Sequence, residues 1–373
     1  MPPRPRLLPL LLLLACGHSE PFTNPDTGTD QPFDPGPPVR LTANRGGDFE
    51  PAWLADGSGT LYSVSDPSRE DRDVCLAMIP AGSNRQSELW CDVPEGFERS
   101  DAVHAAGPGP DGRLAFLATA TGLTNALPED LGLRVAPTVD PTGGAEVLHL
   151  PYTRGAVLFN WVGRIRWLEG DRLAYLGQRL LVRQQCANFV CAPPDTTVAS
   201  LGVEELALGS STPAALPGTA GATGLATLAE GAVVLYTLAG DSRIFRRNLS
   251  SGEVTVAHDF GAAGIARDLD AAGSRVVAVV GGLVGQVTDP DLGPIQWDSG
   301  GVLHLVDLDD NSDAPFPDGG RLYRRPALSP AGDLVMAEGY RFSVFSFVDP
   351  GSGATISDTA IVSSSDLYRF GGP

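Results

Sequence analysis

Two groups of residues in this 373-residue chain have types and spacings that could do chemistry. Asp307, Asp309, Asn311 and Asp313 alternate, and Asp318 stands twelfth counting from Asp307. Oxygen-bearing side chains at alternate positions of a tight loop can converge on one Ca2+, whose charge offsets their mutual repulsion. Ser312 stands where such a loop needs glycine, Asp318 replaces a bidentate glutamate, and the flanking apolar runs read as strands rather than helices. The alternative is a solvated acidic turn after Val302–Val306. The second group is Cys75, Cys91, Cys186 and Cys191. Cys75 and Cys91 flank the turn-like Pro80–Asn84, so strands pairing about that turn would bring them face to face, and a bridge there would contribute about 3 kcal/mol. Cys186 and Cys191 would close a small loop over Ala187–Val190. Neither spacing, with no histidine close by, suits zinc.

Proton-transfer chemistry has little to assemble from. His18, His104, His149, His258 and His304 are scattered, with no metal spacing and no serine or cysteine nucleophile motif beside them. Ser299–Gly300–Gly301 has no base or nucleophile to serve as an oxyanion loop for, and reads as a hairpin turn. No glycine-rich phosphate cradle opens a helix. The formal charge of −19, carried against 26 basic residues that are all arginine, disfavours phosphate backbones and argues against nucleic acid.

Residues with this little local chemistry must be judged by the elements that position them. Asp48–Val64 reads as a strand, an Asp56–Gly57 turn and a second strand, because Asp-Gly accepts positive φ and Trp53, Leu61, Tyr62 and Val64 suit a half-buried pleated surface. Weaker copies recur at Gly112, Gly170, Gly231, Gly273 and Gly332, each interval holding four short strands. With 45 Gly and 32 Pro spread along the chain and no sustained 3.6-residue periodicity, little helix is expected. The last copy offers only Asp366–Phe370 as a further clear strand. Val39–Thr42 can fill the vacancy, so that the N-terminal strand closes the last unit onto the first.

Residues 1–15 have a cationic start, Arg4 and Arg6, and an apolar core too short to span a bilayer, the pattern of a secretion signal. Leu13–Leu14–Ala15–Cys16 resembles the bacterial lipobox, which implies lipidation of Cys16 and, with Gly17 rather than aspartate following, an outer-membrane position. Residues 16–38, rich in Pro, Asp and Thr, read as a tether, and 39–373 as the folded domain.

Asp48-x-x-Pro51–Ala52–Trp53-x-x-Asp56–Gly57 with Leu61–Val64, and Arg325–Gly332 with Leu334–Val335, resemble the TolB-like six-bladed β-propeller repeat; Asp366–Leu367–Tyr368 matches a later strand of that repeat. The resemblance implies an all-β propeller over residues 39–370, with six blades, or seven if the weak central copies hide another. It brings no catalytic motif. In such propellers the starts of the innermost strands line a central channel, so Asp48, Glu50, Asp101, His104, Arg166, Arg267, Asp268 and Arg325 are the candidate ligand contacts at its mouth.

The expectation that follows is a monomeric, exported, lipid-anchored envelope protein whose propeller binds a protein or glycan without catalysis, and needs no cofactor beyond the Ca2+ that the acidic loop would hold. The alternatives are a carbohydrate-active hydrolase or lyase, for which Glu50, Asp101 and His104 would have to converge, and a structural envelope protein with a broad apolar face.

Overall fold

The computed structural model describes residues 38–43, 47–65, 74–90, 104–119, 131–150, 157–183, 186–187, 190–191, 195–282, 284–289, 293–298, 300–317, 319, 321–340, 342–348, 355–361 and 365–371. Six four-stranded antiparallel sheets follow one another along the chain. The innermost strands of blades 1 to 6 are Asp48–Trp53, His104–Pro108, Val157–Leu168, Ala222–Leu228, Ala266–Ala272 and Leu322–Leu328. Each turns back into its second strand through a glycine at positive φ: Gly57 (72°), Gly112 (83°), Gly170 (78°), Gly231 (90°), Gly273 (60°) and Gly332 (72°). Only glycine enters that region without a Cβ penalty, which is why these residues marked the repeat.

A four-stranded sheet with two apolar faces cannot stand alone in water. Here every such face meets a neighbour, and the buried apolar residues form six clusters, one in each wedge between adjacent blades. Leu61 and Leu76 of blade 1 meet Leu114 and Phe116 of blade 2. Leu117 and Leu133 of blade 2 meet Trp167 and Tyr175 of blade 3, and the pattern continues around to Tyr62 and Ile79 of blade 1 against Met336 and Leu367 of blade 6. A ring of wedges has no free end, so the fold is a closed six-bladed β-propeller.

The closure is made as the sequence suggested. Val39–Arg40 is the outer strand of blade 6, pairing with Asp366–Phe370 in the register Val39↔Arg369 and Arg40↔Tyr368. The Leu41 amide donates to the Leu367 carbonyl at 2.8 Å, the Leu367 amide to Thr42 Oγ1 at 2.9 Å, and Arg40 pairs with Asp366 at 2.8 Å.

Three excursions leave the frame, and of these only the small loop bounded by Cys186 and Cys191 was expected from the sequence. The first two strands of blade 3 run to twelve residues each, beyond the sheet of their neighbours, and carry a two-stranded ladder in which Cys186 stands opposite Cys191. Hairpins Val284–Asp289/Gly293–Asp298 and Phe342–Val348/Thr355–Ile361 interrupt blades 5 and 6. All three lie between second and third strands, at the end of the propeller where the innermost strands begin. Ser299 lies outside the described residues; Gly300 and Gly301 belong to the base of the first hairpin, not to a hairpin turn as expected. Gly301 bridges Tyr323 of blade 6 through bonds of 2.8 and 2.9 Å, and a Cβ on Gly282 would fall on the Gly300 carbonyl oxygen. Cys75 is buried in the third strand of blade 1; Cys91, and with it the pairing expected of the two, lies outside the described residues. So do residues 1–37, which hold the proposed leader, Cys16 and most of the tether.

Candidate functional site

The innermost strand of every blade is interrupted at an equivalent place. The register slips between Phe49 and Ala52, His104 and Gly107, Gly163 and Arg166, Ala222 and Gly224, Ala266 and Asp268, and Arg324 and Ala327. A β-bulge leaves a residue unpaired and re-aims its side chain. The residues so placed include Glu50, Arg164, Thr223, Arg267 and Arg325. Three of them, Glu50 (56°), Arg164 (52°) and Arg325 (48°), adopt positive φ, which an L side chain resists by about 1–2 kcal/mol. The backbone is bent to put charge on the axis.

The charges close on each other. Arg164 of blade 3 reaches Asp268 of blade 5, donating from Nε at 2.9 Å, and donates from Nη1 to the Pro326 carbonyl of blade 6 at 2.9 Å. One pleat further along, Arg166 pairs with Asp270 at 2.9 Å, and the second Asp270 oxygen accepts the Leu328 amide at 2.9 Å. These two rungs cross the channel past blade 4, where Gly224 lets blade 5 approach; a Cβ there would stand 2.8 Å from the Asp268 Cα. Arg325 pairs with Glu338 at 3.2 Å and Glu50 at 3.4 Å, Arg324 takes the other Glu338 oxygen at 2.5 Å, and the bulge turns the Glu50 amide onto Glu338 at 2.7 Å.

Burial pushes the Asp268 carboxyl above the ordinary aspartate range, with Arg164 working against it. Burial acts to lower Arg325, but Glu338, Glu50 and Asp268 outweigh it and raise the guanidinium. Buried charges are tolerable when opposite charges and hydrogen bonds offset the lost hydration, and here blades 1, 3, 5 and 6 supply these jointly.

Of the residues expected at the channel mouth, Glu50, Asp268 and Arg325 therefore come together in the axial lattice. Asp48 is buried beside them on the Glu50 strand. Arg267 donates to the Gly300 carbonyl at 3.3 Å. Arg166 lies beyond the bulge, toward the strand end, rather than at the mouth. His104 is described only as backbone, opposite Leu117, and Asp101 lies outside the described residues. The sequence reading missed Arg164, Asp270, Arg324 and Glu338. A signal existed in Arg164-x-Arg166 and Asp268-x-Asp270, equal spacings of like charge in two copies of the repeat; regular pleating puts the two aspartates on one face, while the bulge re-aims Arg164.

The acidic loop is the hairpin between the third and fourth strands of blade 5. Its oxygens point apart: Asp307 accepts the Asp309 amide, Asp310 binds Ser312, Asn311 contacts His258 at 2.8 Å and Asp313 contacts His304 at 2.9 Å. Asp318 lies outside the described residues. Among the described residues no group of three or more His, Cys, Asp or Glu is placed to hold a metal.

At the turn-bearing end lies a cavity of about 580 Å³ that all six blades line, with Trp53, Trp167, Arg166, Asp270 and Glu230 in its wall.

No family model and no curated protein matches the chain. Solved structures of similar fold do. A gluconolactonase from Xanthomonas campestris superposes with a TM-score of 0.51 at 11% identity, covering 91% of this chain and 92% of that one. TolB from Acinetobacter baumannii gives 0.48 at 11%, covering 83% of this chain, which spans 63% of the TolB structure. An oligogalacturonate lyase from Vibrio parahaemolyticus gives 0.45 at 12%, over 95% and 96% of the two chains. At such identities the likeness concerns the fold alone.

Proposed function

We propose that the chain is an exported, lipid-anchored propeller of the bacterial cell envelope that binds a protein or glycan partner without catalysing a reaction. The observation that carries this reading is the axial lattice. Arg164, Asp268, Glu50, Arg325 and Glu338 hold one another, so the side chains best placed to act on a substrate serve instead to lock four blades together. The surface left to a partner is the rim, where blades 3, 5 and 6 bear their excursions, and loops raised on a rigid frame are where recognition residues concentrate. The strand Asp195–Ala207 of blade 3 lies against Gly293–Asp298 of blade 5, so two excursions meet above the short connection of blade 4. The exposed large apolar side chains among the described residues are Val254, Val256 and Ile265, too few for the broad apolar face of a purely structural protein.

Photo-crosslinking residues placed at Gln286 or Ser346, in the full-length chain in its own envelope, should yield one discrete adduct that the same residue at Ser58 or Asp171 does not. Labelling with a palmitate analogue should be lost in Cys16→Ser. Turnover of a lactone or a uronate oligosaccharide by the purified protein, with no rim adduct, would replace this reading with the enzymatic one.

A further inference from the structure

We infer that the cavity at the turn-bearing end is a binding site for a neutral saccharide unit. This goes beyond the rim reading, concerns the opposite end of the channel, and holds whether or not the rim has a partner.

The floor is the second rung. Arg166 and Asp270 are each 14% exposed at the side chain, and both line the cavity. Arg166 donates one bond to the Ile165 carbonyl at 3.0 Å and one to Asp270. A guanidinium carries five N–H donors, so three remain. Each Asp270 oxygen accepts one bond and has capacity for another. The floor thus offers donors and acceptors side by side at fixed positions.

The walls mix polar and apolar surface, and their apolar part includes Trp53 and Trp167. Trp167 donates from Nε1 to the Gly107 carbonyl at 2.8 Å and is capped by the Arg113 guanidinium 4.3 Å from its ring. Trp53 is 8% exposed. At the mouth Ala229 (49°) and Glu230 (53°) are successive non-glycine residues at positive φ. They are wedged against blade 3, where a Cβ on Gly231 would stand 2.5 Å from the Leu168 Cα. Strain of that kind is kept where the surroundings impose it, and it holds an exposed carboxylate over the opening.

Charge selects the ligand. Arg166 is matched by Asp270, Glu230 adds one negative charge, and the chain carries −19, so an anion is repelled. A cation would gain from Glu230, exposed and screened by salt, but would meet Arg166 at the floor. Vicinal hydroxyls donate and accept at neighbouring atoms and leave neither member of the rung unmatched. Their carbon skeleton suits the proline, leucine and tryptophan walls, and the volume lies within the usual range for small-molecule sites, roughly 300–1,000 Å³.

Calorimetry on the full chain with maltose, cellobiose and N,N′-diacetylchitobiose, and with digalacturonate and butylamine as charged probes, tests this. At least one neutral disaccharide should bind saturably. Arg166→Lys, which keeps the charge but not the fork, should weaken it about tenfold or more. Ala229→Trp, which fills the mouth and leaves the rung alone, should abolish it. The inference fails if none of the three disaccharides binds, if binding survives both variants, or if either charged probe binds more tightly.

Discussion

Where the innermost strands finish, connections of two to six residues turn back through positive-φ glycines, and the axis behind them is crossed by two Arg–Asp rungs. Where the same strands begin, blades 3, 5 and 6 send paired strands away from the frame. The first end is specified by contacts between residues 104 positions apart, the second by ladders local in sequence. One end is therefore the part of the molecule that must be right for the ring to close, and the other is free to vary. This difference predicts a ranking of effects.

The largest belongs to the axis. Arg164→Met leaves Asp268 buried and unpaired, with side-chain exposure of only 12%. It should lower stability by about 3–5 kcal/mol in urea titration, whereas Arg164→Met with Asp268→Leu should recover most of the loss. A single variant no worse than the double would show that the rung does not hold the blades. Next comes the closure. Thr42→Val deprives the buried Leu367 amide of its acceptor and should cost about 1–3 kcal/mol. Arg40→Ala acts on Asp366, whose carboxyl burial has already raised, with Arg40 opposing. A raised folded value means that ionisation costs stability above it, so the Arg40→Ala loss should be full at neutral pH and shrink as the pH falls through the folded value of Asp366. A loss that grows with acidification would refute that account.

How much of this could be read from the sequence follows the same division. The turns were legible, because Asp56–Gly57 and Ala331–Gly332 declare their conformation locally. The closure was legible because Asp366–Phe370 lacked a companion and Val39–Thr42 lacked a sheet. The axial lattice was half legible: strand starts named Glu50, Asp268 and Arg325, but Arg164 sits at a bulge, and a one-residue slip decides which side chain faces the channel. The hairpins over 284–298 and 342–361 escaped for another reason: an apolar run such as Phe342–Val348 declares a strand but not whether it joins a blade or pairs in a hairpin of its own. Glu230 and Trp167 share a cavity only once six blades have met, which no local pattern encodes.

At the rim the effect on stability should be small. Replacing residues 283–299 by a two-residue linker shortens a loop whose ends Gly282 and Gly300 already touch. Loop shortening changes closure entropy slowly, so thermal and urea unfolding should move by no more than about 1 kcal/mol while the rim crosslinks disappear. A loss as large as that of Arg164→Met would mean that the excursion belongs to the frame, and the two ends would no longer differ in kind.

The smallest effect separates two aspartates of opposite sign. Asp56, on the turn of blade 1, accepts bonds from the Ser58 hydroxyl at 2.7 Å and the Ser58 amide at 2.9 Å, and these hold its carboxyl below the ordinary value of 3.8. A depressed folded value contributes stability above the unfolded pKa and loses it as the pH falls through the folded one. Asp56→Ala should therefore cost less than about 1 kcal/mol at neutral pH, the difference from the parent vanishing below pH 3.8. Arg40→Ala at the closure should also narrow its deficit on acidification, but there because the stranded Asp366 gains a proton, and it should do so at higher pH. The order in which the two deficits disappear in a pH series of urea titrations thus separates a turn held by hydrogen bonds to an exposed carboxylate from a seam that carries a buried one. A reversed order would mean that burial does not govern the charge at the seam.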